Sequence, residues 1–194
     1  MGLRNLVFAC LVLAAPLAAC SFGEDVGSLF RTPLATKQGT VDANEAASLI
    51  SQYRASHGLG PVTIDPTLMK IAAVHAERMA ADNQVAHILP GEGSFPQRLA
   101  AGGFNASAAA ENIAAGQKSL ADALVAWQKS PEHNANLLMP AVDKIGIALS
   151  IAPDSKYKTY WSLVLGQWYR PATGAVPMGA LPIQNSDGTT VEIR

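Results

Sequence analysis

The stretch Ala126-Trp127-Gln128-Lys129-Ser130-Pro131-Glu132-His133-Asn134-Ala135-Asn136-Leu137-Leu138 ends one helix and starts another. Leu120, Leu124 and Trp127 recur at helical spacing, and that helix reaches Lys129. Ser130-Pro131 then restarts a short turn of helix. A hydroxyl residue caps it, and proline takes the first position, where a missing N–H costs nothing. Glu132 falls in the first turn, where the helix dipole stabilises an acid. Downstream, Ile145, Ile147 and Leu149 alternate with Gly146 and Ala148, the period of a half-buried strand. A turn follows around Pro153-Asp154-Ser155, and Tyr160 to Trp168 returns as the second strand of a hairpin.

Upstream, the pattern is helical. Asp42-x-x-Glu45 resembles a capping box, and Ala46, Leu49, Ile50 and Tyr53 follow at i, i+3, i+4 and i+7 until Gly58 stops the helix. Asp65-Pro66 starts a second helix with an apolar stripe of Leu68, Ile71, Ala72, His75, Ala76 and Met79. Ser94 opens a short third helix bearing Phe95, Arg98 and Leu99, ended by Gly102-Gly103. Helices followed by a late antiparallel hairpin predict an α+β domain. Trp127 and Trp168 are expected in its core rather than as ligand platforms.

The ends read differently. Arg4 is the only charge before Glu24, and the apolar run Leu6 to Ala15 after it is too short for the roughly 20 residues of a spanning helix. Pro16 ends any helix there, and Leu17-Ala18-Ala19-Cys20 follows. Small residues before a cysteine resemble a bacterial lipobox, so residues 1–19 are expected to be a lipoprotein signal peptide cut before a lipidated Cys20. Cleavage leaves 175 of the 194 residues and one cysteine, so no internal disulfide is available. Lipidation would anchor the protein to the membrane without spanning it. Ser21, where aspartate would favour inner-membrane retention, points to the outer membrane facing the periplasm. Residues 20–41 are expected to be a flexible tether, 42–170 the domain, and 171–194 an irregular tail with a short strand near Val191-Ile193. The net charge of −1 argues against a nucleic-acid partner.

Few residues can carry chemistry. His87 follows the second helix, His133 the fourth, and Glu111 lies in Ala110-Glu111-Asn112-Ile113, where a carboxylate among apolar neighbours must find a partner or water. Two imidazoles and a carboxylate can hold a divalent metal or pass protons. Against these stand bland roles. His75 lies on an apolar stripe and is expected within or beside the core. His57, beside Gly58, is expected to be a solvated helix end. Arg98 either pairs with an acid or covers Phe95, and Asn112 caps or turns the backbone. Neither Ser107 nor Ser130 has the context of a nucleophile elbow.

In order, the segments Leu49-Ile50-x-x-Tyr53-Arg54, Leu68-x-x-x-Ala72, His87, Phe95-x-x-Arg98, Ala110-Glu111-Asn112-Ile113-Ala114, the Trp127 to Leu138 stretch and Ile145-Gly146-Ile147-Ala148 resemble the CAP superfamily over residues 45–168. That superfamily includes cysteine-rich secretory proteins, venom allergens, plant pathogenesis-related proteins and a bacterial branch. The resemblance implies a three-layer α-β-α sandwich with a central antiparallel sheet, and a cleft with a His, Glu, Glu, His tetrad. His87, Glu111 and His133 match three of the four. The second glutamate, three residues after the tryptophan, is replaced by Ser130, and Glu132 is out of register. The disulfides of eukaryotic members are absent.

With one anionic ligand missing, a divalent metal such as zinc is expected to bind weakly at His87, Glu111 and His133. A non-enzymatic binding module for a lipid, an envelope polymer or a protein is the favoured reading, because no activated nucleophile is evident. A metal-dependent hydrolase using the same three residues is the alternative. Fold resemblance alone does not choose between them.

Overall fold

The computed structural model describes residues 34–171 and two short strands, β6 (Ile183–Gln184) and β7 (Thr190–Val191), which pair antiparallel. The expected signal peptide, Cys20 and most of the tail lie outside the described residues. The described chain runs β1 (Lys37–Gln38), α1 (Ala43–Ala55), β2 (Thr63–Ile64), α2 (Pro66–Asp82), α3 (Phe95–Ala101), β3 (Ala106–Ala115), α4 (Leu120–Lys129), α5 (Pro131–Leu137), β4 (Lys144–Ile151) and β5 (Thr159–Trp168). No described helix is long and apolar enough to cross a membrane.

The expected helix starts form for the expected reasons. Asp42 accepts from the N–H groups of Asn44 and Glu45, and Asp65 from those of Thr67 and Leu68. The second carboxylate oxygen of Asp65 accepts from Trp168 Nε1 at 2.8 Å, which ties the start of α2 to the end of β5. Ser94 and Gln97 form a capping box at α3. Ser130 is the N-cap residue of α5, but its side chain makes no capping bond.

The sheet has the order β1-β4-β5-β3, antiparallel throughout, and the two-residue β2 adds parallel to β4. Alternation along β4 and β5 sorts the core into two layers. Ile145, Ile147, Leu149, Trp161, Leu163 and Leu165 face Ile50, Leu124, Trp127 and Leu137 of α1, α4 and α5. Ala148 and Val164 face Leu68, Ile71, Ala72 and Ala76 of α2, with Leu99 of α3. The result is the expected three-layer α-β-α sandwich. Small residues on the α2 side let that helix lie directly on the sheet: a Cβ at Gly146 would sit 2.1 Å from the Leu68 carbonyl carbon.

Two elements depart from expectation. Residues 34–41, assigned from sequence to the tether, already belong to the domain. The Leu34 N–H donates to the Ala81 carbonyl at 2.9 Å, Lys37 and Gln38 pair with Ile151 and Ser150, and the Gly39 N–H donates to the Leu149 carbonyl at 2.7 Å. These contacts are made by backbone, which leaves no side-chain period to read. The second is β3, a strand in a segment to which the sequence reading assigned no element, and whose Asn112 lies within the strand rather than at a cap or turn. Its sequence, Ala-Ser-Ala-Ala-Ala-Glu-Asn-Ile-Ala-Ala, is poor in strand formers, yet it pairs with β5 from Ala106 to Ala115. Its outer edge is covered by side chains. Trp127 Nε1 donates to the Ile113 carbonyl at 3.1 Å, and Asn136 Nδ2 to that of Glu111 at 3.3 Å.

Candidate functional site

β3, the edge strand, carries Glu111 at its middle, opposite Val164 of β5, where His87 from the α2–α3 connection and Asn136 from α5 reach it. Its side chain is 2 % exposed and both oxygens are taken. Arg98 of α3 donates from Nη1 to Oε1 at 2.8 Å and from Nη2 to Oε2 at 2.9 Å, a two-pronged charge-assisted pair. His87 Nδ1 lies 2.9 Å from Oε2. Arg98 also donates to the His87 carbonyl at 3.0 Å and sits 5.4 Å from the centre of the Phe95 ring. It therefore fills both roles the sequence left open, pairing with an acid and covering Phe95.

Burial by itself would raise the Glu111 pKa. Hydrogen bonds from His87 and Arg98, with the charges of His75 and Arg98, more than reverse this and hold it below the ordinary carboxylate value. An ionised carboxylate only accepts, so the proton on the His87 ring shared with Glu111 sits on Nδ1. In the neutral ring Nε2 is then left as the lone-pair atom. The His87 side chain is 53 % exposed, so the dyad has a buried end and a solvent end.

His133 reaches the same neighbourhood by a different route. Its Nδ1 lies 3.0 Å from Ser130 Oγ, and its carbonyl accepts from Asn112 Nδ2 at 3.0 Å. Asn112 in turn accepts from Asn136 Nδ2 at 2.9 Å, and Tyr53 OH donates to Asn134 at 2.7 Å. The Asn112 bonds lock α5 against β3, and the Tyr53 bond ties it to α1. Burial lowers the His133 pKa, the charge of His87 lowers it further, and Glu132 opposes both, leaving it below the ordinary imidazole value. Among the described residues no hydrogen bond joins His133 to Glu111 or to His87. Glu132 is exposed in the first turn of α5 and makes no side-chain hydrogen bond among the described residues.

Two site residues escaped the sequence reading. His75 lies on the apolar stripe of α2, as expected, and is fully buried. It is also part of the charged cluster: Nδ1 lies 2.8 and 2.9 Å from the oxygens of Glu92, and Nε2 lies 3.6 Å from Glu111 Oε2 with no hydrogen-bond partner. Glu92, in the loop before α3, also lies 4.0 Å from Arg98 Nε. The available signal was a histidine on a wholly apolar stripe, which requires a polar partner when buried. His57, by contrast, is exposed just past α1, with Nδ1 2.9 Å from the Tyr53 carbonyl.

The family-like tetrad implies a metal, and the donor set does not fit one. Glu111 Oε2 already accepts from Arg98 and His87, Oε1 accepts from Arg98, and a guanidinium stands where a cation would. Among the described residues no three His, Cys, Asp or Glu side chains are placed to hold a metal ion.

Comparison with known proteins agrees with this architecture. YkwD of Bacillus subtilis is 33% identical over 124 residues, covering 58% of this chain and 48% of YkwD. The membrane protein YlbC of the same organism is 28% identical over 120 residues, covering 62% of this chain and 34% of YlbC. The chain thus spans less than half the length of either relative. Among solved structures, an outer surface protein from Borrelia burgdorferi superposes with a TM-score of 0.58 at 26% identity, over 69% of this chain and 100% of that one. An extracellular protein containing an SCP domain from Bacillus anthracis gives a TM-score of 0.57 at 23% identity, over 66% of this chain and 45% of that one, and shows the shared fold. The profile of the cysteine-rich secretory protein family, CAP, matches residues 47–165, well over half of the chain, and the protein belongs to that family.

Proposed function

We propose that the protein is an exported envelope lipoprotein, anchored through a lipid on Cys20 in the outer membrane, whose CAP domain is a non-enzymatic binding module. The occupant of the module would be a lipid, an envelope polymer or another protein. The observation that carries this reading is the state of Glu111. An acid with both oxygens committed to Arg98 and His87 is not available to ligate a metal or to take up a proton at neutral pH. The cleft is held rigid by neutralised charge, which suits recognition better than turnover. The lipobox-like Leu17-Ala18-Ala19-Cys20 supports the anchor. The name of its Borrelia counterpart, an outer surface protein at 26% identity, supports an envelope location.

A metal-dependent hydrolase using His87, Glu111 and His133 has less support, because the carboxylate it needs is engaged and Ser130 stands in place of the second acid. The experiment is mass spectrometry, under non-denaturing conditions, of the full protein extracted from membranes. A co-purifying envelope lipid, glycan fragment or protein is expected, with no stoichiometric metal. Stoichiometric zinc together with ester or peptide hydrolysis abolished by His133→Ala would overturn the binding reading.

A further inference from the structure

We infer that Arg98 is the cleft's built-in counter-cation, and that it is the residue which excludes divalent metal from this site. The inference rests on Glu111 being a committed acceptor, and it names the group responsible. A carboxylate that is 2 % exposed needs positive charge beside it. A guanidinium supplies that charge permanently, and its planar fork matches both oxygens at 2.8 and 2.9 Å. Arg98 cannot easily swing away. It is itself buried, stacks near Phe95, donates to the His87 carbonyl and lies against Glu92. A divalent ion approaching Glu111 would meet this fixed charge and a protonated His87 Nδ1.

Among the described residues no three such side chains are preset to hold an ion, but the imidazoles around Glu111 are of a type zinc uses once a ring proton is released. His87 Nδ1 is 2.9 Å from Oε2, and His75 Nε2 is 3.6 Å from the same oxygen, buried and without a hydrogen-bond partner. With the guanidinium gone, a buried carboxylate would remain between two imidazoles with no permanent cation. Arg98 therefore decides which chemistry the cleft has.

Zinc calorimetry and zinc-dependent melting should be run on the full protein, on Arg98→Met, on Arg98→Lys and on Arg98→Met with His87→Ala. Arg98→Met is expected to bind zinc roughly 10–100-fold more tightly than the parent, the range over which groups around a metal site act on affinity. Zinc should also raise its melting temperature. Arg98→Lys keeps the charge and should stay as blind to zinc as the parent, whereas a purely structural role for Arg98 predicts no such difference. His87→Ala should cancel the gain.

If Arg98→Met folds without gaining zinc affinity, or if the parent already binds zinc as tightly, the inference fails. If Arg98→Met does not fold with or without zinc, the guanidinium NMR signals of the parent decide. Unchanged signals in millimolar zinc support the inference, and zinc-induced loss of the Arg98–Glu111 pair overturns it. Capture of an envelope ligand bears on the binding-module reading and leaves this one untouched.

Discussion

Truncating Trp127 tests the packing of α4 against the sheet. The side chain is 1 % exposed and lies in the cluster formed by α1, α4, α5 and the hairpin strands. Trp→Ala at such a site loses the transfer energy of the ring and leaves a cavity, together about 3–5 kcal/mol. Nε1 also donates to the Ile113 carbonyl at 3.1 Å, on the outer edge of β3. Leaving that carbonyl without a partner adds roughly 1 kcal/mol, less if water enters the cavity. The two effects separate by comparison. Trp127→Phe keeps one aromatic ring and loses the donor with a smaller part of the volume, so it should cost less than Trp127→Ala, about 1–2 kcal/mol. Urea unfolding followed by far-UV circular dichroism reads both variants, with the slope checked for constancy. A loss below about 2 kcal/mol for Trp127→Ala would mean that the α4 layer does not seal the sheet, and the packing argument would fail.

Three further outcomes follow from the same structure. Gly146→Ala should be more damaging than its size suggests, costing about 3 kcal/mol or more, because the new methyl would meet the α2 backbone itself; a near-neutral melt would show that α2 can lift off the sheet. Acidification should destabilise the domain in two windows. His133 resists protonation when folded, so its contribution to stability declines as pH falls below the ordinary imidazole value. Glu111 has a depressed pKa, so its contribution is full above the ordinary carboxylate value and is lost as pH falls through and below it. Unfolding free energy measured from pH 8 to 3 should show a shallower acidic fall in Glu111→Gln, and an unchanged slope would sever that link. Cys20→Ser should leave the protein unprocessed or release it from membranes on fractionation; processing and distribution like the parent's would refute the lipid anchor.

The sequence alone determined the elements whose signals are local. Helices α1 to α4 follow from caps at Asp42, Asp65 and Ser94 and from apolar stripes, because a cap and a 3.6-residue period are properties of neighbouring residues. The hairpin of β4 and β5 follows from alternation for the same reason. The ordered motif series added the layer architecture, which periodicity cannot give. The tertiary structure decided what depends on partners distant in the chain. β3 is a strand because β5 pairs with it, although its alanines favour no strand. β1 exists because the edge of β4 was open to two residues of backbone. In the site, the sequence supplied Glu111 and His87 but not the meaning of their neighbours. His75 reads as core by position, and it is core, yet it faces Glu111 across a gap of 36 residues in sequence (111 − 75). Arg98 lies 13 residues before the acid it neutralises. Nothing local distinguishes an arginine that covers a phenylalanine from one that fixes a buried carboxylate; only burial, which removes water as a partner, forces that pairing and sets the chemistry of the cleft.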